Sequence, residues 1–385
     1  MKKVAVITTI MAMYRYEIAS LLSCQKDPTY RFYTSKKSHS GIKPVDASKS
    51  FIQPEDGGIK WSFVKNIYIK GICIWQNGVF KIGVSRKYST LILLGNMYCL
   101  STWVNAILGR IAGKHIIMWT HGLKGGDFRL QLFFRLMFYR LAHDLFVYEK
   151  RGKNLLINEG FNKDNVHVIY NSLAYKTHLK LRSELTEENF DKTKKKLFNN
   201  DYPTLVYSGR LVKSKKVHLL LESLSLFEDD NINCLIIGDG DQRKFLEDLV
   251  QEKGIKNVVF YGGCYDESKL SKLIGMSDVM VSPGNIGLAV VHAFSFGTPV
   301  ISHNNMVTQM PEVEIIDQGV NGLLFDENNI EDLKTKIVQW ISQNSANRAA
   351  IRKQCYLKVD QYYNPNYQVK VFNKIVQRGI NQNHS

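Results

Sequence analysis

Two cations at close spacing, Arg210 and Lys215, carry the most direct chemistry in this chain. Arg210 follows the apolar run Thr204–Ser208 and Gly209, and Lys215 precedes a helical pattern that begins at Val217. In a strand–turn–helix unit both stand beyond the carboxyl end of a strand, where open α/β sheets bind ligands. Fixed cations at that edge stabilise negative charge as it builds on a departing group. The plainer alternative is a solvated run of Lys213, Lys215 and Lys216. A second block, SPGNIGLAVVHAFSFGTPVIS from Ser282 to Ser302, follows another apolar run. Pro283, Gly284, Asn285 and Ile286 read as a turn, Gly287 and Leu288 as the start of a helix, and Gly297-Thr298-Pro299 as its end. Such a turn is expected to present backbone N–H groups at the positive end of a helix dipole, a site for a phosphate or a hydroxyl.

Other groups stand at comparable places. Gly238-Asp239-Gly240 ends the apolar run Asn233–Ile237, and Gly262, Gly263, Cys264 and Tyr265 follow Val258–Tyr261. Glu312 and Glu314 are the carboxylates next in sequence to the Ser282–Ser302 block. In the first half, His121 lies in Trp119-Thr120-His121-Gly122-Leu123-Lys124-Gly125-Gly126, after a strand pattern and before a helical one. No G-x-G-x-x-G follows the first strand, where Thr8-Thr9-Ile10-Met11 stands, so a nicotinamide or flavin role is weak. His115 and His121 lack a nearby pair of carboxylates, and no C-x-x-C pattern occurs, so no metal is expected.

Taken together these segments resemble retaining glycosyltransferase family 4, enzymes of the GT-B fold. Tyr207–Val212 with Lys215 is similar to that family's G-R-L-x-x-x-K. Ile236–Gly240 is similar to its I-x-G-x-G, and Val258–Gly263 to its V-x-F-x-G strand. Pro311-Glu312 with Gly319–Leu324 is similar to its P-E…G-x-N-G-x-L ending, and Gly297–Ile301 to its G-T-P-V-I. The likeness is strong over about 203–337. It implies a donor site for a nucleotide sugar, with UDP favoured over GDP and no further cofactor. Arg210 and Lys215 would clamp the diphosphate. Gly209, Gly238, Gly284, Asn285, Ile286, Gly287, Leu288 and Glu312 would line the donor, with Gly263, Cys264 and Tyr265 against the base. His121 would be the histidine that orients the sugar. In the mechanism the family implies, the acceptor oxygen attacks the face from which diphosphate leaves, and a diphosphate oxygen takes its proton. The chain departs from the pattern at the family's two motif glutamates, which fall on Gly284 and His292. The first normally meets the donor sugar and the second the ribose. Gly284 offers only backbone. His292 either hydrogen-bonds the ribose or packs as a core histidine.

Composition sets the frame. The chain has 385 residues, enough for two domains. No apolar run is long enough to span a bilayer. The start, Met1–Thr9, reads as a first buried strand and not as a signal peptide. Six scattered cysteines point to a reducing, cytoplasmic setting. Net charge is +16, and residues 1–170 supply nearly all of it, with 25 Lys and Arg against 10 Asp and Glu. That half would suit a polyanionic partner, an anionic membrane surface above all. Without a basic–aromatic recognition motif, a nucleic acid is not expected. The run FRLQLFFRLMFYRL, Phe128–Leu141, fits a core helix better than a helix lying on lipid headgroups.

Strand and helix patterns alternate through both halves, which predicts parallel sheets covered on both faces. Strands are expected at 4–8, 31–33, 90–94, 115–119, 166–170, 204–208, 233–237, 258–261, 279–282 and 299–302. Helices are expected at 16–22, 102–111, 128–141, 217–226, 243–252, 267–274 and 288–295, with one exposed helix over 182–196. The expected architecture is α/β: two Rossmann-like, doubly wound domains facing a cleft. Residues 1–172 would bind the acceptor and 173–360 the nucleotide sugar, while 361–385 would return to the first domain. The expected activity is transfer of a hexose, with retention, to a glycan or polyprenyl-diphosphate-linked glycan in cell-surface polysaccharide synthesis. The protein would work in the cytoplasm, at the inner face of the membrane. The alternatives are a nucleotide-sugar-binding subunit without catalysis and a GT-B epimerase.

Overall fold

The computed structural model describes residues 3–36, 43–69, 71–229, 231–344 and 347–382. The chain forms two compact units. One takes Met1–Ala174 together with Asn364–Ser385, and the other takes Tyr175–Tyr363.

The first unit contains β1 (Lys3–Ile10), β2 (Thr29–Ser35), β3 (Trp61–Phe63), β4 (Asn66–Ile69), β5 (Cys73–Gln76), β6 (Thr90–Leu94), β7 (His115–Trp119), β8 (Asp144–Val147) and β9 (Val166–Val168). Seven of them form a sheet in the order β3-β2-β1-β6-β7-β8-β9, while β4 and β5 pair as a separate hairpin. Every pairing in the large sheet is parallel. Val4, Val6, Ile92, Ile117 and Phe146 enter one core, and Ala5, Ile7, Leu91, Leu93, Ile116 and Met118 another. Burial on both faces is why these strands read as unbroken apolar runs. The last helix, Pro365–Gln382, completes the first of these cores. Its Phe372 ring lies 4.5 Å from Phe146 and 5.2 Å from Trp119. A fully buried phenylalanine of this kind stabilises by roughly 1.5–3 kcal/mol. Polar contacts fix the register of the helix: Ser172 donates to the Gln368 side chain at 2.7 Å, and Gln368 donates to the Tyr170 carbonyl at 2.9 Å. At the amino edge of β8, buried Asp144 is held by His115 and His167, each at 2.7 Å, and by Arg378.

In the second unit β10 (Thr204–Ser208), β11 (Asn233–Ile237), β12 (Val258–Gly262), β13 (Val279–Ser282), β14 (Val300–His303) and β15 (Gly322–Phe325) form one sheet. Its order is β12-β11-β10-β13-β14-β15, again parallel. In each unit the chain winds outward in one direction and then returns to the other side of its first strand. The reversals fall between β1 and β6, and between β10 and β13. Beyond the carboxyl ends of such strand pairs, doubly wound sheets bind ligands.

Two readings of helices need correction. The expected single helix over 182–196 is two helices, Tyr175–Ser183 and Glu187–Phe198. Thr186 divides them, its hydroxyl accepting from the Asn189 N–H at 3.2 Å as an N-cap. The apolar helix Arg129–Tyr139 is not a core helix throughout. It buries only Leu136, Phe138 and Tyr139, with Phe138 against Trp103. Phe128 is 83% exposed and Leu130 68%, and Phe133, Phe134 and Met137 are exposed as well. The buried stripe is narrower than the apolar one, so half of the apolar residues face outward.

Candidate functional site

The second unit assembles its site from two turns at the reversal between β10 and β13. After β13, Gly284 donates its N–H to the carbonyl of Lys215 at 3.0 Å. Lys215 in return donates its Nζ to the carbonyl of Asn285 at 2.5 Å and to Asn285 Oδ1 at 2.7 Å. The two turns are thereby zipped together. A Cβ on Gly284 would stand 2.4 Å from the carbonyl oxygen of Ser214 and 2.7 Å from two backbone atoms of Lys215. Only glycine fits, so a glutamate, which the family resemblance would place here, is excluded by backbone.

The three lysines of this turn have different surroundings. Lys213 is exposed and Lys215 half-buried. Lys216 takes the left-handed conformation, φ 50°, where the family resemblance places glycine. Its Nζ offsets that strain by pairing with Glu327 and Asn328, each at 2.7 Å. The idea of a uniformly solvated charge run is therefore wrong for Lys215 and Lys216. Burial lowers the Lys215 pKa, the Arg210 charge lowers it further, and Glu312 opposes both. That coupling places Arg210, Lys215 and the buried Glu312 in one electrostatic neighbourhood. An anion bound beside Lys215 would offset the hydration that burial has taken from its ammonium group.

The glycines after β10 and β11 serve packing first. Gly209 donates to the Ile237 carbonyl at 3.0 Å, and Leu211 to that of Asp239 at 2.9 Å. A Cβ on Gly238 would come within 1.8 Å of the Gly209 carbonyl oxygen, and one on Gly240 within 2.2 Å of that of Leu211. Beyond β12, Gly263 is exposed and Cys264 half-buried, while Tyr265 is 90% exposed.

The helix after β13 runs Ala289–Ser295, so it starts two residues later than Gly287. Gly287 stands before it with φ 56°, and Leu288 is its N-cap. The expectation of open N–H groups on this turn is corrected at two positions. The Gly284 N–H is spent on Lys215, and the Ile286 N–H on the side chain of Gln309 at 3.1 Å. Gln309 is itself anchored to Ser302 and the His303 carbonyl at 2.9 and 3.1 Å.

His292 has a partner within the chain. Its Nε2 lies 2.9 Å from Glu267 Oε2, and His178 Nε2 lies 3.2 Å from the same oxygen. The two imidazoles face each other at 5.0 Å, with Phe296 beside both. Burial raises the Glu267 pKa, but the two histidines outweigh it and hold the carboxyl far below its usual range. The three donor atoms lie within 4.8 Å of one another, which is a composition that could hold a metal ion. To this extent the expectation of no metal-ligand set is amended. Three separate helices supply the residues, so no sequence spacing announces them. Gln309 escaped the sequence reading for a similar reason, since a glutamine in a loop carries no signal.

In the first unit His121 follows β7, with its ring 4.9 Å from Tyr148. Although the residue keeps solvent contact, the protein crowding it, together with the charges of Arg15 and Lys124, lowers its pKa to about 4. It is a neutral imidazole at physiological pH, fit to donate or accept one hydrogen bond. Arg15, beside it, did not stand out in the sequence. Its signal is its place, in Tyr14-Arg15-Tyr16 just beyond β1.

Comparison with known proteins bears on these sites. Residues 188–356 match the model of the family described as glycosyl transferases group 1. An uncharacterized glycosyltransferase of Methanocaldococcus jannaschii is 29% identical over 166 residues, 42% of this chain and 41% of that protein. The lipopolysaccharide core biosynthesis glycosyltransferase LpsE of Rhizobium meliloti is 26% identical over 148 residues, 38% of this chain and 41% of that protein. The matched segments thus span about two fifths of these relatives' length. Among solved structures, Anabaena HepE in complex with UDP has a TM-score of 0.73 at 16% identity, covering 98% of this chain and 100% of that one. The fold is therefore GT-B, α/β with two Rossmann-like units, as the sequence predicted. The family match covers both turns that carry Arg210, Lys215 and Gly284.

Proposed function

We propose that this protein is a glycosyltransferase that moves a hexose from a nucleotide-sugar donor, held by the second unit, to a glycan or lipid-linked glycan. The reading rests above all on Lys215, locked by Asn285 at the reversal of the second sheet with Arg210 beside it. A cation positioned there before substrate arrives stabilises diphosphate charge without reorganising at the moment of bond cleavage. The C1–O bond to diphosphate breaks as the acceptor oxygen bonds C1, and the acceptor proton passes to a diphosphate oxygen. The anomeric configuration is retained, no metal takes part, and the donor is a UDP-sugar in preference to a GDP-sugar. Backbone and the Asn285 side chain take over sugar contacts where Gly284 leaves no room for a carboxylate. A lipopolysaccharide-core relative and the UDP-bound neighbour support this line.

The acceptor is carried at an anionic membrane surface, in cell-surface polysaccharide synthesis. Phe128, Leu130, Phe133, Phe134 and Met137 support that placement, since they are exposed on one helix of the basic half. No helix among the described residues is long and apolar enough to cross a membrane. Titration with UDP and GDP, followed by transfer from a panel of UDP-sugars, tests the proposal. Arg210→Ala and Lys215→Ala should each cut kcat/KM by about 10²–10³ while leaving the fold intact. Full activity in either variant would refute the clamp.

A further inference from the structure

We propose that Arg15 anchors an oxyanion site in the first unit, built for a phosphoryl group of the acceptor. Assigning that group to the acceptor rests on the transfer reading above, whereas the site itself rests on first-unit geometry alone. Arg15 closes the short 3₁₀ turn Met13–Arg15 beyond β1 and directly precedes the helix Tyr16–Cys24. This is the carboxyl edge of the first sheet at its reversal between β1 and β6, the counterpart of the Lys215 turn in the second sheet.

Arg15 is 8% exposed. Its guanidinium lies 4.5 Å from the Trp119 ring and 5.4 Å from that of Tyr14, and donates to the Tyr148 hydroxyl at 2.7 Å. Its Nε is buried without a hydrogen-bond partner. Among the described residues, no carboxylate forms an ion pair with it. A buried charge is ordinarily paired. Here aromatic rings hold the cation through their quadrupoles and leave its charge uncancelled. His121 and Lys124 share the same field, since the charges of both Arg15 and Lys124 act on the imidazole. The helix beginning at Tyr16 turns its positive end to the same edge. A forked guanidinium, a nearby ammonium and an imidazole suit the several oxygens and double charge of a phosphoryl group better than a single carboxylate.

The test uses the full-length protein, with anion added at constant ionic strength against chloride. Inorganic phosphate, glucose 6-phosphate and geranyl diphosphate are titrated while the ring signals of His121 are followed by NMR. A saturable shift is expected, at least about tenfold weaker in Arg15→Gln. Lys215→Ala, in the other unit, should leave it unchanged. Tighter binding of geranyl diphosphate would assign the phosphoryl to a prenyl-linked acceptor, and tighter binding of glucose 6-phosphate to a soluble sugar phosphate. Should Arg15→Gln fail to fold, Lys124→Ala takes its place, with a severalfold loss of affinity expected. No shift in the wild type, or one that persists unchanged in these variants, overturns the proposal. UDP titration of the same samples separates the two readings. If UDP does not bind while the phosphate response still depends on Arg15, the donor reading falls and this site stands.

Discussion

Replacing Gly284 by alanine should disable the second unit's site through one added carbon atom. That carbon would sit 2.4 Å from the Ser214 carbonyl oxygen, about 1 Å inside ordinary van der Waals contact. All three atoms nearest to it belong to backbone, so no side-chain rotation relieves the clash. The Ser214 turn must retreat. It takes with it the Gly284 N–H bond to Lys215 and the two Lys215 bonds to Asn285. Overpacking of this kind costs about 1–3 kcal/mol, and each weakened hydrogen bond about 0.5–1.5 kcal/mol. One displacement causes all of these losses, so they overlap and do not add; a net loss of about 2–4 kcal/mol is expected, or roughly 4–16 °C in the melting temperature of a unit this size. Donor affinity should fall with it, since Lys215 leaves its position. Gly287→Ala is the control. That residue also has a positive φ, but its added Cβ would meet only the Met310 side chain, at 3.7 Å. It should lose only about 1 kcal/mol, from backbone strain. Thermal unfolding and UDP titration of both variants decide the matter. A Gly284→Ala protein that melts and binds UDP like the wild type would refute the zipped-turn argument, and an active Gly284→Glu would do so more forcefully.

Transfer should survive EDTA, and activity lost on chelation and restored by Zn²⁺ or Mn²⁺ would direct attention to His178, Glu267 and His292. Vesicles of phosphatidylglycerol should bind the protein at low salt and release it as salt rises. Phe133→Ser with Phe134→Ser should weaken that binding at every salt concentration, and equal binding by the variant would remove the exposed helix from the interface. Acid should loosen the first unit through Asp144, which burial pushes up but His115 and His167 pull down to about 2. A depressed carboxylate contributes stability above its unfolded pKa of about 4, and loses it as pH falls from there toward 2. Asp144→Asn should therefore cost about 2 kcal/mol at pH 7 and flatten acid unfolding in that window. An unchanged acid-unfolding profile would exclude Asp144 as the sensitive group.

The parallel strands were legible because burial on both faces writes them as apolar runs. Thr90–Leu94, His115–Trp119, Thr204–Ser208, Asn233–Ile237 and Val279–Ser282 fall where the sequence placed them. Trp61–Phe63 and the hairpin of β4 and β5 were not anticipated, since short strands with exposed residues carry little pattern. Within the site, Arg210 and Lys215 were readable from type and spacing. What Gly284 excludes was not, because the obstructing atoms belong to a turn seventy residues earlier. Glu267 and His178 were unreadable for the same reason, and Arg15 because a single arginine becomes informative only once its lack of an acidic partner is known. The outward half of Phe128–Leu141 misled in the opposite direction: hydrophobic periodicity reports an apolar stripe, but not how wide a stripe the fold covers.

The closing helix Pro365–Gln382 makes the first unit discontinuous, with the second unit inserted in its chain. During synthesis the ribosome completes Tyr175–Tyr363 before it supplies Phe372, Ile375 and Val376 to the core begun by Val4 and Val6. The first sheet must therefore wait, one face incompletely covered, while the insert folds. Residues 1–172 expressed alone would keep that face uncovered and should aggregate, whereas 175–363 has its own sheet and should fold independently. Supplying 364–382 as a separate peptide ought to rescue the truncated first unit, an arrangement that would make its assembly controllable by a fragment added in trans.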